Sequence, residues 1–326
     1  MRRLVPLFCL LAVVLAVGIL ADQAPGVLQR RITQALIYLI AVAGLYIFAG
    51  NSGILSFGHA AFMAIGAYTS ALLTLPASAK ALFLPDLPGW LTVIEWPPLA
   101  GASVAAAIAA LVGAPLMRLS GIAASIATFA VLAVTYTVLG NWTSVTGGQN
   151  SLMGLPPSAG PWTVTAWALI TVTAAFVHQE SRSGLLLRAS RADEAAAAAA
   201  GIAIERHRLA AFVTAAFFSG IAGVLLAHFL GIVRVETYYL DLTFLTIAML
   251  VIGGIGSLTG AVAGALVIAL LTEAMRQAEV GVTVGGTLIA APAGAGDAVL
   301  ALLMLVIILF RPKGIAGGRE IGGQGS

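Results

Sequence analysis

Long apolar runs separated by short polar breaks make up almost the whole chain, and the runs have the length that a bilayer demands. A helix crossing lipid needs about twenty apolar residues. By that measure spans are predicted near Leu4 to Ala21, Ile32 to Ala49, Ile54 to Leu75, Pro98 to Met117, Ile122 to Gly140, Trp162 to Val177, Leu209 to Gly231, Leu242 to Ile255, Leu258 to Leu271 and Ala298 to Phe310. The two pieces around Gly253 to Gly260 are short, and fit either half-helices or one interrupted span. The pattern predicts an all-α polytopic membrane protein with about ten transmembrane or re-entrant helices in a single domain over residues 1–315. A Gly-rich tail over 316–326 is expected to be disordered.

One long polar stretch interrupts this pattern, Glu180 to Arg208, and it holds Arg182, Arg188, Arg191, Arg206 and Arg208. Cations beside spans are retained on the cytosolic side, so residues 180–208 are expected to form a cytosolic loop. A short helix is spelled out inside it. Ser190 with Asp193 makes an [ST]-x-x-[DE] capping pattern, Ala195 to Ala200 are strong helix formers, and Gly201 offers a left-handed stop. Asp193 and Glu194 suit the positive end of the helix dipole. A helix of about ten residues is marginal alone in water, so docking on a partner is expected, with Arg191, Glu194 and Arg206 at its ends for polar contacts. The bland alternative is a solvated turn between two spans.

Composition narrows the class. With 60% apolar and 9% charged residues and a mean hydropathy of +1.04, an ordinary soluble domain, about a quarter charged, is excluded. The net charge of +3 sits on arginines near span ends; it sets orientation and does not point to nucleic acid. Arg2, Arg3, Arg118, the long loop, Arg311, Lys313 and Arg319 all fall in the cytosol if there are ten spans, so both termini are expected there; Arg30 and Arg31 fall outside and disagree. The outer segment Pro76 to Pro97 carries two Trp at interfacial positions with Asp86 and Glu95. The start, two Arg and an apolar run, imitates a secretory signal but reads as an uncleaved first span. Only Lys80 and Lys313 are lysines, and neither stands in a Gly-Lys-Ser/Thr P-loop. Any ATP-driven step therefore belongs to another subunit. Cys9 is the sole cysteine, which excludes an intrachain disulfide or a Cys-rich metal site.

Three intramembrane motifs stand out. In Gly50 to Leu73, Gly50, Asn51, Ser52 and Gly53 interrupt the apolar pattern, and irregular backbone at membrane depth survives only where protein or a water-filled cavity covers it. Two rows then run at four-residue spacing (Ser56, Ala60, Ala64; Gly58, Phe62, Gly66, Ser70), and their small residues let helices approach closely. His59 reads first as a satisfied structural histidine; the alternative is a lining residue of the translocation path or its gate, together with Asn51, Ser52 and Ser56. In Val145 to Pro156, Gly147, Gly148, Gln149 and Asn150 make a loop whose amides suit a small polar solute, or an ordinary external turn. In Met249 to Val267, Gly256, Gly260 and Gly264 form a packing ladder, while a helix broken at Gly253 and Gly254 is the lesser reading, with backbone groups facing substrate. No Asp or Glu lies deep inside a predicted span, although Glu273 and Asp297 lie at span ends. Ion-coupled carriers usually need such groups. No metal-ligand cluster or nucleophile elbow occurs either, so neither a self-powered carrier nor an enzyme is expected.

Taken in order, LSFGHAAFMAIGAYTSALL, TGGQNSLMGLP, the loop SGLLLRASRADEAAAAAAGIAIERHR, GGIGSLTGAVAGA and ILFRPKGI resemble the integral-membrane permease subunits of branched-chain amino acid ABC transporters, the LivM/LivH type and nearer LivM. The resemblance runs from about Leu36 to Ile315. It implies the ABC importer permease fold in a bacterial inner membrane, a second LivH-like permease, two cytosolic ATPase subunits and a periplasmic solute-binding protein, with no cofactor of its own. It also implies that Arg191, Asp193, Glu194, Ala197, Gly201 and Arg206 belong to the ATPase-contacting segment. The alanine run is less varied than is usual there, and the Glu-to-Gly interval differs by one from the general EAA---G pattern of other importers. Leu, Ile and Val are the implied solutes; urea, short amides or other amino acids are the alternative cargo, and a stand-alone channel or carrier the alternative class.

Overall fold

A computed structural model describes residues 4–83, 99–280, 282–284, 287–289, 292, 294–311 and 314–317. Arg2, Arg3, the Trp-bearing stretch with Asp86 and Glu95, Lys313, Arg319 and most of the Gly-rich tail lie outside them. The architecture is helical, and each predicted apolar segment is answered by a helix. In chain order these are α1 (Val5–Gln23), α2 (Gly26–Ser52), α3 (His59–Thr74), the short α4 (Ala77–Phe83), α5 (Leu99–Leu116), α6 (Gly121–Asn141), the single turn α7 (Thr143–Thr146) and α8 (Pro161–Glu180). The polar stretch supplies α9 (Arg182–Ala192) and α10 (Glu194–Ala199), after which come α11 (Ile204–Leu230), α12 (Leu240–Gly253), α13 (Leu258–Val280) and α14 (Ala295–Phe310). Six of the described helical stretches are both long and apolar enough to cross a membrane. The other four predicted spans correspond to α3 and α14, of 16 residues each, to α5, and to α8, whose 20 residues meet the length but not the apolar criterion.

Two helices form the centre. In their most apolar stretches α2 is 78% and α11 72% buried, against 17% for the peripheral α6. From Leu39 to Ala49 α2 is apolar on every side and buried on every side, as a helix without an amphipathic stripe must be. Small residues set the spacing. A Cβ on Gly66 would lie 2.5 Å from the Gly220 carbonyl oxygen, one on Gly101 equally close to the Gly66 carbonyl, and one on Gly223 would strike Met63. α3, α5 and α11 therefore cross backbone to backbone.

The Gly253 region resolves into two helices joined by a turn. α12 and α13 form a hairpin in which Gly253, Gly260 and Gly264 meet facing backbone with no room for a methyl group. Gly256 stands outside the ladder, exposed in the turn. α13 continues nine residues beyond the predicted Leu271, so it is no half-helix. The C-terminal end of α12 is closed from far along the chain, where the Ile315 and Ala316 amides donate to the Ile252 and Gly253 carbonyls at 2.9 and 3.1 Å.

The described strands are minor. Residues 152–153 pair antiparallel with 232–233, tying the α6–α8 loop to the end of α11, and 282–284 pair with 287–289. Arg30 and Arg31, the exceptions to the charge pattern, lie inside α2, which begins six residues earlier than predicted. Arg31 pairs with Glu273 at 3.4 Å and Arg30 stands 5.6 Å over the Phe229 ring. A counter-charge and an aromatic face take up the two cations that hydropathy alone left unexplained.

Candidate functional site

The polar stretch folds as an elbow. α9 and α10 meet at Asp193, whose extended backbone (φ −152°, ψ 108°) breaks the helix and whose Oδ1 accepts from the Ala196 amide at 2.9 Å. Asp193 is therefore the N-cap, and Ser190 is not: its hydroxyl donates to the Leu187 carbonyl at 2.7 Å inside α9. Competition of Ser for its own helix carbonyls is the reason that such overlapping cap patterns mislead. At the other end Gly201 takes φ +79°. Its amide reaches the Ala198 carbonyl and that of Ile202 reaches Ala197, at 3.0 and 3.1 Å, the paired bonds of a Schellman stop.

Two anchors hold the elbow. Arg188 donates from Nε to Asn51 Oδ1 (2.9 Å) and from an Nη to the Gln179 carbonyl (3.2 Å), and Gln179 in turn accepts from the Tyr46 hydroxyl at 2.8 Å. Arg191 donates to the Gly50 carbonyl at 3.0 Å. These guanidiniums occupy the C-terminal end of α2, where carbonyls lack partners and the dipole favours cations. Gly53, the left-handed end of α2, is needed there, since a Cβ would strike the Arg191 stem. The second anchor is Glu194, which takes two bonds from Arg208 on α11, at 3.1 and 2.8 Å. The Arg208 side chain is 5% exposed and that of Glu194 46%.

The rest of α10 presents methyl groups. Ala197 is buried, while Ala195, Ala196, Ala198, Ala199 and Ala200 are exposed. Arg206 is also exposed and forms no ion pair among the described residues; Arg208, two positions on, carries that contact. The α2 and α12 ends, the 314–317 segment and the Arg118–Glu205 pair, 3.9 Å, gather at this same end of the bundle.

Asn51 and Ser52 are buried and committed: the Asn51 amide also donates to the Ile47 carbonyl at 2.9 Å, and the Ser52 hydroxyl to Phe48 at 2.7 Å. His59 is buried between Ser56 and α12. Nδ1 lies 2.9 Å from the Ser56 carbonyl, which only accepts, so the proton sits on Nδ1 and Nε2 accepts from the Thr246 hydroxyl at 2.6 Å. The geometry is that of a pin between α3 and α12, beside a cleft of about 10 Å³, room for one water. Gly147 and Gly148 take φ +72° and +64° and turn the loop back on α6. Gln149 and Asn150 are exposed, and the Gln149 amide covers Gly140. Gly254 sits in the α12–α13 turn with Gly256. The predicted path residues are thus divided between the two ends of the bundle and are not brought together in one site.

The family profile described as "Branched-chain amino acid transport system / permease component" matches residues 27–309. The chain belongs to this permease family. Among curated proteins it is 29% identical over 279 residues to the "High-affinity branched-chain amino acid transport system permease protein LivM" of Salmonella typhimurium, covering 75% of this chain and 63% of that protein, and equally to that of Escherichia coli. The LivH protein of Salmonella typhimurium is 25% identical over 307 residues, covering 89% of this chain and 94% of its own. The chain therefore spans less than two thirds of the length of its LivM relatives. No solved structure gives a significant match.

As a member of this permease family the chain is a multi-pass membrane protein, and the residues that build its elbow are only partly those that sequence reasoning singled out. Arg188, Arg208, Gln179 and Tyr46 escaped notice. A signal existed for Arg208, a cation directly before the apolar run at Leu209, which burial would force to find a partner. None existed for Gln179 and Tyr46, whose contact joins positions far apart in the chain. His228 was missed for the same reason. Buried at the far end of the bundle, it bridges the Ser70 hydroxyl (2.7 Å) and the Pro156 carbonyl (2.8 Å).

Proposed function

We propose that this chain is the membrane-spanning permease subunit of an ATP-driven importer of branched-chain amino acids, paired with a second LivH-like permease. Solute arrives from a periplasmic binding protein, and two cytosolic ATPase subunits supply the energy. On this reading the elbow end faces the cytosol, and α10 is the piece that enters a groove on the ATPase. The observation that carries it is the division of labour in α10. Its exposed methyl face has no long side chain to obstruct docking, while Asp193, Glu194 and Gly201 are spent on shaping and anchoring the helix. Closure of the ATPases on ATP pushes α10; Glu194 passes the load to Arg208 on α11, and Arg188 and Arg191 pass it to α2. Those are the two central helices, so a shift there moves α3 and α5 as packed bodies, because backbone-to-backbone crossings deform little.

The arginine distribution supports the orientation. The elbow carries its cations without a matching number of acids, whereas at the far end Arg31 stands 3.4 Å from the Glu273 carboxylate. The test is a cross-link. In a Cys9→Ala background, Ala198→Cys is expected to form a disulfide with a cysteine in the groove of the ATPase subunit, and Gln149→Cys at the far end is not. Labelling of Ala198→Cys from the periplasm in intact cells would reverse the assignment.

A further inference from the structure

About 24 Å along α2 from the elbow anchor at Gly50, at helical rise, two cavities adjoin and share the walls Gln34, Tyr38, Leu245 and Thr272. The smaller, about 120 Å³, is bounded by Arg31, Glu273 and Arg276. The larger, about 700 Å³, reaches Asp241 and is walled by aliphatic residues, among them Leu226, Leu242 and Met304. The charges are not fully spent on one another. Glu273 takes both the Nε and an Nη of Arg276, at 3.0 and 2.7 Å, and meets Arg31 only through Nε at 3.4 Å. Two guanidiniums thus share one carboxylate, and the terminal nitrogens of Arg31 have no acceptor among the described residues. The Tyr38 hydroxyl accepts from the Gln34 amide at 2.7 Å, which leaves its own proton to donate into the shared neck. Asp241, in the first turn of α12, is exposed and has no cation partner among the described residues.

Gln34 and Tyr38 line both cavities, so the spare donors of Arg31, the carboxylate of Asp241 and the aliphatic wall open onto one continuous space, the three kinds of contact that a small aliphatic zwitterion needs. We propose that this cleft binds the zwitterion of an aliphatic amino acid, with the carboxylate on Arg31 and Tyr38, the ammonium on Asp241 and the side chain against Leu226, Leu242, Leu245 and Met304. The inference rests on the importer reading and adds to it a site on the permease itself, at the end where the solute enters.

The test uses the complete permease–ATPase complex in nanodiscs of phosphatidylcholine, with radiolabelled leucine as probe. Saturable binding is expected. Arg31→Gln and Asp241→Asn should each weaken it by roughly tenfold or more, the scale of one charge-assisted hydrogen bond. Two leucine fragments separate the poles. Isoamylamine, which lacks the carboxylate, should compete relatively better in Arg31→Gln, and 4-methylpentanoate, which lacks the ammonium, relatively better in Asp241→Asn; a merely structural effect would move both alike. Absence of saturable binding to the wild-type complex, or unchanged affinity in both variants, overturns the site. So does loss of leucine binding when phosphatidylethanolamine replaces phosphatidylcholine, which would assign the cleft to a lipid headgroup and chain. The importer reading fails separately, if the wild-type complex takes up no branched-chain amino acid in proteoliposomes.

Discussion

Replacing Glu194 by Gln removes one charge from the elbow and nothing else of size, and the burial difference across its ion pair sets the energetic cost. Arg208 is 5% exposed and Glu194 46%, so the pair lies between two limits: about 0–1 kcal/mol for a surface pair and about 3–5 kcal/mol for loss of one partner from a buried pair. Apart from the Gln amide oxygen the guanidinium would keep only the Leu119 carbonyl at 3.4 Å, and its Nε already lacks an acceptor. Gln still accepts one bond, which places the cost near 2 kcal/mol. That is roughly a thirtyfold shift in the equilibrium between docked and released α10. Hydrogen exchange over residues 194–203 in the assembled complex should therefore quicken by about that factor, with exchange in α2 unchanged. The reciprocal change is expected to be milder. Arg208→Met removes the buried charge and keeps its bulk, leaving a carboxylate that water reaches, so exchange should rise by less than about tenfold. Unaltered exchange in Glu194→Gln, or a larger effect in Arg208→Met than in Glu194→Gln, would refute the Glu194–Arg208 anchor.

Other outcomes derive from the same geometry. Gly201→Ala, forced into a left-handed turn at φ +79°, should destabilise the elbow by about 1–2 kcal/mol, read as faster exchange confined to the same segment. Gly264→Val would drive a side chain into the α12 backbone at Met249 and Gly253; overpacking by more than a methylene costs about 1–3 kcal/mol, and the purified complex should melt lower while its elbow cross-link is retained. His59→Ala strands the Ser56 carbonyl, while the Thr246 hydroxyl falls back on the Leu242 carbonyl at 2.7 Å, and should lower the melting temperature without changing the solute concentration for half-maximal uptake; a changed concentration dependence would make His59 a lining residue. Arg188→Gln should loosen both Asn51 and Gln179, detected as faster hydrogen exchange over the last turn of α2 and the end of α8.

Local features were legible in the sequence wherever one stretch of chain supplied both partners. Apolar run length located the helices, Gly260 and Gly264 announced a close crossing, and the alanine run with Gly201 announced a short helix and its end. The Ser190 cap failed because two polar side chains three residues apart both suited the role, and only backbone geometry decides between them: Ser190 stayed helical and Asp193 did not. The early start of α2 was hidden because Arg30 and Arg31 look like a loop until Glu273 and Phe229 are brought beside them. The elbow anchors were illegible for the same physical cause. Arg188 with Asn51, Tyr46 with Gln179 and His59 with Thr246 are single contacts between remote positions, and a hydropathy pattern carries no information on which polar residue will find which. The bipartite cleft of Arg31 and Asp241 likewise exists only once α2, α12 and α13 are packed.

The central claim is that energy from nucleotide reaches the bundle through α10. Proline at Ala197 tests it most directly, because it removes the amide that donates to the Asp193 carbonyl at 3.1 Å and breaks a six-residue helix at a cost of about 3 kcal/mol or more, while every membrane helix is left intact. In proteoliposomes holding the complete complex, ATP hydrolysis and leucine accumulation should be measured together: Ala197→Pro is expected to keep hydrolysing ATP while accumulation falls to background, and accumulation at the wild-type ratio of solute to ATP would contradict the account.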